Sequence, residues 1–316
     1  MSLAKTSSSG SPDHKTQKPL IRYRWERFER KIIPYLFLSP FMLGFLAFMV
    51  YPLIYALNLS LFRNKLVGGV SFVGLDNYVK SFQDVNFWEG VRNVLLFGVI
   101  QIPVMLGLAL LFALLLDGKL IHRQSIFRLG YFLPFAVPSV VAALMWGYFY
   151  GQSFGPIAQV ANALGLPPPS FLTPGGILPS IANISTWQYT GYNMLILFAA
   201  LKGIPEEIYE AARVDGATDL QIAWLIRIPI IMPALTLTAI FSVIGTLQLF
   251  NEPNILTVVA PAVMNSHFTP NIYVYNLAFL NRQFDYSAAI AFTLALVTAV
   301  LSSLVLLATY RREPKS

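Results

Sequence analysis

Cysteine is absent from all 316 residues, which excludes disulfides and thiolate metal sites. Histidine is nearly absent: His14, His122 and His267 lie far apart in sequence and suggest no metal cluster. Charge is scarce, at 12% of residues against 56% hydrophobic, and mean hydropathy is +0.60. That balance belongs to a membrane protein and not to a soluble domain with a large core. A Walker A sequence is also missing. The single Gly-Lys pair, Gly118-Lys119, lacks the upstream glycine and the following Ser or Thr. Any ATP chemistry must then be supplied by a different polypeptide. No plausible hydrolytic triad is present, since lone Ser and Thr residues in apolar helices most often bond their own backbone.

The hydrophobic runs place the spans. A helix needs about 20 apolar residues to cross the hydrocarbon, and charge-free windows give six, at about 34–62, 93–116, 129–150, 185–202, 229–251 and 286–310. Leu129 to Leu201 carries no charge in 73 residues, and Pro167-Pro168-Pro169 with Pro174-Gly175-Gly176 divide it. The connection 151–184 reads as short helical pieces at the interface. Residues 1–19, rich in Ser, Lys and Pro, read as a disordered tail. Ile21 to Lys31 sets Arg22, Arg24, Arg27, Arg30 and Lys31 among Tyr23, Trp25 and Phe28, the pattern of a segment lying at the membrane surface. It is not a cleavable signal peptide, because the apolar run behind it is far too long. The expectation is therefore an all-α membrane protein. Its membrane domain, 32–310, lies between a cytoplasmic basic tail with its interfacial segment, 1–31, and a cytoplasmic tail, 311–316.

Net charge is +7, and its distribution decides what it means. Seventeen of the 22 Lys and Arg lie in the N-tail, 117–128, 202–227 and the C-tail; only Arg63, Lys65, Lys80, Arg92 and Arg282 lie in the alternate set. The acidic residues divide ten and five, so the whole +7 falls on one side. The positive-inside rule makes that side, with both termini, cytoplasmic. The charge faces membrane lipid, and no reason remains to invoke nucleic acid.

No span needs an ionisable residue. Ion-driven carriers commonly display one, so the absence argues for passive or ATP-driven passage. What the spans hold is neutral polarity beside aromatics: Phe135, Ser139, Gln188, Tyr189, Ser242, Thr246, Gln248 and Asn251. Amides, hydroxyls and flat rings match the hydroxyls and C–H faces of a carbohydrate. Small and polar residues also bond helices together in any membrane bundle, and the residues alone leave both readings open.

The most informative stretch is Pro205 to Pro233, a charged island between apolar runs. Pro205 suits a first helical position, with Glu206 and Glu207 complementing the positive helix end. Gly216, after Asp215, suits a left-handed helix stop. Thr218 and Gln221 have capping-box spacing for a second helix, and Pro229 is expected to limit it. Ile204, Ile208, Ala211 and Ala212 are expected to share one side of the first helix.

Within that stretch EAARVDG, followed by Ile226 and Pro229, resembles the EAA loop in membrane subunits of binding-protein-dependent ABC importers. Glu210, Ala211, Ala212, Gly216, Ile226 and Pro229 match its spacing; Ile228 stands where Leu is usual. FVGLDNYVKSF at 72–82, the segment 127–155 and the stretch from Trp187 to Pro233 are similar to the sugar-permease branch, nearest to the larger membrane subunit of maltose-type importers. The resemblance covers roughly residues 30–310 and implies a type I ABC importer permease fold. It further implies a two-helix coupling loop, 203–228, in a prokaryotic inner membrane. Glu210, Ala211, Ala212, Asp215 and Gly216 would dock on an ATPase. The partners implied are a second permease subunit, two ATP-binding subunits, an extracytoplasmic solute-binding protein and a carbohydrate substrate. ATP and Mg would sit on the ATP-binding subunits, leaving no cofactor here and no enzyme activity. Aligned on those motifs, the sugar-contacting positions are Phe135, Ser139, Ser185, Gln188, Tyr189, Ser242 and Thr246. Five of them (Phe135, Ser185, Gln188, Tyr189 and Thr246) differ in residue type from the maltose pattern. The alternative is a secondary carrier or channel for a neutral polar solute.

Overall fold

The computed structural model describes the backbone of residues 20–65, 68–118 and 123–310. The tails 1–19 and 311–316, and the side chains of the basic segment 21–31, lie outside the described residues. Two compact units divide at Ala56 and Leu57. The first holds helix α1 (Leu20–Phe45), which runs through Pro34 and Pro40, a π-helical turn, Leu46–Val50, and the start of α2 (Tyr51–Ser60), whose last four residues belong to the second. The stretch Ile32–Ser60 is apolar enough to cross a bilayer and exposes Phe37, Phe41 and Phe48. A helix apolar on all sides suits lipid.

In the second unit the end of α2 is followed by a hairpin, β1 (Phe62–Lys65) and β2 (Gly69–Phe72), antiparallel with Phe62 opposite Phe72. Helix α3 (Asp76–Phe82) locks it in place: Asn77 Nδ2 donates to the carbonyls of Ser60 and Phe62 at 2.8 and 2.7 Å. Asp84 then caps α4 (Val85–Asp117), accepting from the N–H groups of Asn86 and Phe87 at 3.0 and 3.4 Å. At 33 residues α4 is about 50 Å long, more than the hydrocarbon requires.

Helices α5 (Gln124–Ala136) and α6 (Ser139–Phe149) meet at 94°. The cause is local. Val137 precedes Pro138, and a residue before proline is pushed from helical to extended backbone; Val137 has φ −76° and ψ 125°. After α7 (Pro156–Ala163) comes α8 (Ile177–Lys202), the central helix, which packs along α4. Ala109 and Ala113 of α4 are fully buried beside Met194, Leu197 and Leu201 of α8, small residues that let two helices approach. Gly191 does the same toward α5, where a Cβ would overlap the Tyr131 carbonyl.

The expected two-helix loop forms α9 (Glu206–Val214) and α10 (Asp219–Ile222). Gly216 turns between them with φ +84°, and Thr218 and Gln221 make the capping box. The side of α9 that is buried in the bundle centres on Tyr209, 3% exposed, while Ile208 and Ala211 face outward. Two expectations are corrected. Pro205 is the cap and not the first helical residue. Pro229 does not end the second helix. It continues through a π-helical turn, Ala223–Arg227, into α11 (Ile228–Ile230), and the chain breaks at Ile231 with a 65° bend into α12 (Met232–Leu247). Pro229 follows directly on the π turn, whereas Pro233 lies in the first turn of α12, where a proline's missing N–H goes unneeded.

The chain closes with α13 (Asn251–Val259), α14 (Pro270–Tyr275), a π-helical turn at Asn276–Leu280, and α15 (Phe284–Tyr310). Among the described residues three stretches are long and apolar enough to span a membrane, or five if each bent pair counts as one. Length and apolarity alone thus support fewer than the six expected spans. The 26-residue α8 is not among the five; Ser180, Ser185, Gln188, Thr190 and Asn193, all buried, lower its apolarity along its length.

Candidate ligand cavity and the loop beneath α4

Helices α4, α8 and α12 and the start of α13 line a partly open cavity of about 320 Å³. Ligand sites begin at roughly 300 Å³. Phe97, Gln101 and Met105 face it from α4; Ser185, Tyr189, Tyr192 and Asn193 from α8; Phe241, Ser242 and Thr246 from α12. Helix α12 stops at Leu247, and the returning segment adds Gln248, Phe250, Asn251 and Glu252. Some polar capacity is already used within the walls. Ser242 donates to the Thr238 carbonyl at 2.7 Å and Asn193 Nδ2 to the Tyr189 carbonyl at 3.0 Å. The lone pairs of Ser242 and the Oδ1 of Asn193 remain as acceptors.

Of the seven residues expected at a sugar site, Ser185, Tyr189, Ser242 and Thr246 line the cavity. Phe135, Ser139 and Gln188 stand behind it. The Phe135 ring stacks on Tyr192 with centroids 4.7 Å apart, and Ser139 Oγ accepts from Asn251 Nδ2 at 3.0 Å. Gln188 is 3% exposed and donates to the Val137 carbonyl at 2.7 Å, at the α5–α6 break. Gln101, Tyr192, Asn193 and Glu252 were missed. Glu252 had a signal in the sequence: its carboxylate follows a charge-free run and directly precedes Pro253, a residue suited to the first turn of a new helix. It was counted instead with the outer charges.

At the other end of α4, Asp117 is enclosed by charge. Lys202 Nζ lies 2.9 Å from its Oδ1 and Arg227 Nε 3.4 Å from its Oδ2. The Arg227 guanidinium in turn lies 4.8 Å from the centre of the Tyr209 ring. Burial first, and the Asp117 charge second, push the Tyr209 phenol above its ordinary value. One node thus joins the ends of α4 and α8 to α9 and the π turn before α12. Around it Glu210, Ala211, Asp215 and Gly216 are exposed and Ala212 is half-buried. Val214, Leu220, Trp224 and Leu225 expose 64–87% of their surface nearby.

At the start of α4, Asp84 Oδ2 accepts from the hydroxyls of Tyr286 and Tyr273 at 2.6 and 2.8 Å. Burial raises the Asp84 pKa, but those two hydroxyls and the Phe87 and Asn86 amides outweigh it and hold the carboxyl below its ordinary value. Burial, then Asp84, push the Tyr273 phenol up to about 12, so it remains a donor. No group of acidic, His or Cys side chains among the described residues could hold a metal ion.

Residues 105–315 match the family described as binding-protein-dependent transport system inner membrane component. The chain is 33% identical to the lactose transport system permease protein LacF of Rhizobium radiobacter over 283 residues, 88% of this chain and 94% of that one. It is 30% identical to the arabinooligosaccharides transport system permease protein AraP of Bacillus subtilis over 292 residues, 90% and 92% of the two chains. A chain in the crystal structure of a bacterial alginate ABC transporter, in complex with alginate pentasaccharide-bound periplasmic protein, superposes with a TM-score of 0.79. That likeness covers 92% of this chain and 99% of the other at 21% identity, which speaks to the fold. The chain belongs to the binding-protein-dependent transport system inner membrane component family, a membrane transport component and not an enzyme.

Proposed function

We propose that this chain is the permease subunit of an ATP-driven importer of oligosaccharides, forming half of a path completed by a second permease subunit. The supporting observation is the cavity: hydroxyls from α8 and α12 converge with the rings of Phe97, Tyr189, Tyr192, Phe241 and Phe250. Hydroxyls would hydrogen-bond sugar O–H groups and the rings would cover C–H faces. The names of the lactose and arabinooligosaccharide relatives agree with that chemistry. Six crossings, both termini cytoplasmic, complete this reading, and an external solute-binding protein delivers the sugar.

The 203–228 loop is the docking element for one of two ATPase subunits, which carry ATP and Mg. Glu210, Ala211, Asp215 and Gly216 are exposed there beside apolar side chains that no other element covers. A surface of that kind suits a protein partner. ATP-driven closure of the ATPases would move the two loops together and turn the path from inward- to outward-facing.

Uptake of labelled oligosaccharides by the reconstituted complex tests the cavity. Thr246→Val should assemble and keep ATPase activity while weakening sugar interaction roughly fivefold to a hundredfold, the effect of about 1–3 kcal/mol for an unmatched polar group. Unchanged uptake across the sugar panel would remove ligand binding from this position.

A further inference from the structure

Glu252 is the single acidic residue facing the cavity, and Lys, Arg and His are absent from the lining. It is 5% exposed, and none of the ion pairs among the described residues reaches it. It occupies the first turn of α13, where the positive helix end favours a carboxylate. Its position follows from the turn before it: α12 ends at Leu247, Phe250 takes an irregular backbone, and α13 carries the side chain back into the bundle. A buried carboxylate without a cation is costly unless hydrogen bonds replace the water it has lost.

We propose that Glu252 selects uncharged oligosaccharides, accepting hydrogen bonds from sugar hydroxyls and excluding anionic sugars such as uronates. This rests on the cavity being the sugar site. Hydroxyl-to-carboxylate bonds are charge-assisted and stronger than neutral ones. A uronate in the same place meets a like charge across a few ångströms, and no cation in this half of the path offsets its lost hydration.

The test is direct sugar binding by the assembled permease–ATPase complex in detergent without the external binding protein, followed by calorimetry. Probes are neutral glucose and galactose disaccharides, each paired with its 6-carboxylate counterpart. Wild type should bind at least one neutral member about tenfold or more tighter than its uronate partner. Glu252→Gln should narrow that ratio about tenfold, and Glu252→Asp should keep it. Assembly is checked by gel filtration and basal ATPase activity, and the wild-type ratio requires no variant. Equal wild-type binding within the pairs overturns charge selection and leaves the sugar site standing. A ratio unchanged in Glu252→Gln removes Glu252 as its origin. If no neutral member binds wild type, the sugar-site reading falls and takes this inference with it.

Discussion

Replacing Asp117 with Asn should loosen the 203–228 loop from the bundle. The side chain is 4% exposed and faces two cations, Lys202 at 2.9 Å and Arg227 at 3.4 Å. Breaking a buried ion pair by removing one partner costs about 3–5 kcal/mol, because the other charge stays behind. Three features lower the figure here. The Arg227 contact is close but not a hydrogen bond, since neither Asp117 Oδ2 nor Arg227 Nε finds an aligned partner. The Lys202 side chain is 52% exposed and can return to water. Arg227 keeps the Tyr209 ring at 4.8 Å, and a desolvated cation–π contact is worth up to about 2 kcal/mol. About 2 kcal/mol remains.

Thermal unfolding of the detergent-solubilised complex, with hydrogen exchange read across 206–222, measures the effect. Asp117→Asn should lower the midpoint by up to about 3 °C and speed exchange in α9 before α8. A double-mutant cycle with Arg227→Met isolates the pair, and its coupling should reach about 1 kcal/mol or more. Additive effects of the two substitutions, or exchange in α9 that does not change, would refute the node as the attachment of the loop.

Gly191→Ala should abolish assembly, because its Cβ would overlap backbone at Tyr131, whereas Gly107→Ala, with nothing within 4 Å, should assemble normally in the same gel-filtration assay. The depressed pKa of Asp84 implies stability present above its ordinary value of 3.8 and lost as pH falls through the lower folded value. Asp84→Asn should therefore lower the melting temperature at pH 7 and flatten its fall below about pH 4, as melting curves across that range would show. Glu210→Ala, exposed on α9, should leave membrane insertion intact and lower transport together with binding-protein-stimulated ATPase activity in the reconstituted complex; full transport would count against docking through Glu210.

The loop was the most legible part of the sequence because its signals are local. A capping box and a glycine with positive φ depend on a few neighbouring residues, and both formed where their spacing placed them. Pro229 misled for the converse reason. A proline is expected to end a helix, but here it follows directly on a π turn and the helix runs on to Ile230, a departure from regular α geometry that spacing alone does not signal. Tyr209 was hidden because its burial against Ile204 and Ala212 depends on the ends of α4 and α8, distant in sequence. Glu252 was misplaced because charge marks the end of an apolar run equally well whether the chain leaves the bundle or turns back into it.

The expected sugar residues fell into two layers, and the α5–α6 break explains both. Val137 is held extended by Pro138, which leaves its carbonyl without a helical partner. In an apolar setting that group needs a donor, and Gln188 supplies one at 2.7 Å. Gln188 is spent on the break and cannot also serve a ligand with that amide N–H. Its Oε1 is buried and unpaired among the described residues, so the carbonyl oxygen is the part of the amide left free. The same break turns α5 across α8 at Gly191 and brings Phe135 onto Tyr192, whose ring does face the cavity. Motif alignment finds this whole constellation but cannot separate the side chains that touch a ligand from those that aim them. On this geometry Gln188 and Phe135 stand behind the cavity lining, and the expectation is that they act as positioning residues. Gln188→Ala should lower assembly and thermal stability, which melting and gel filtration read. Loss of sugar binding at wild-type stability would instead place Gln188 at the ligand.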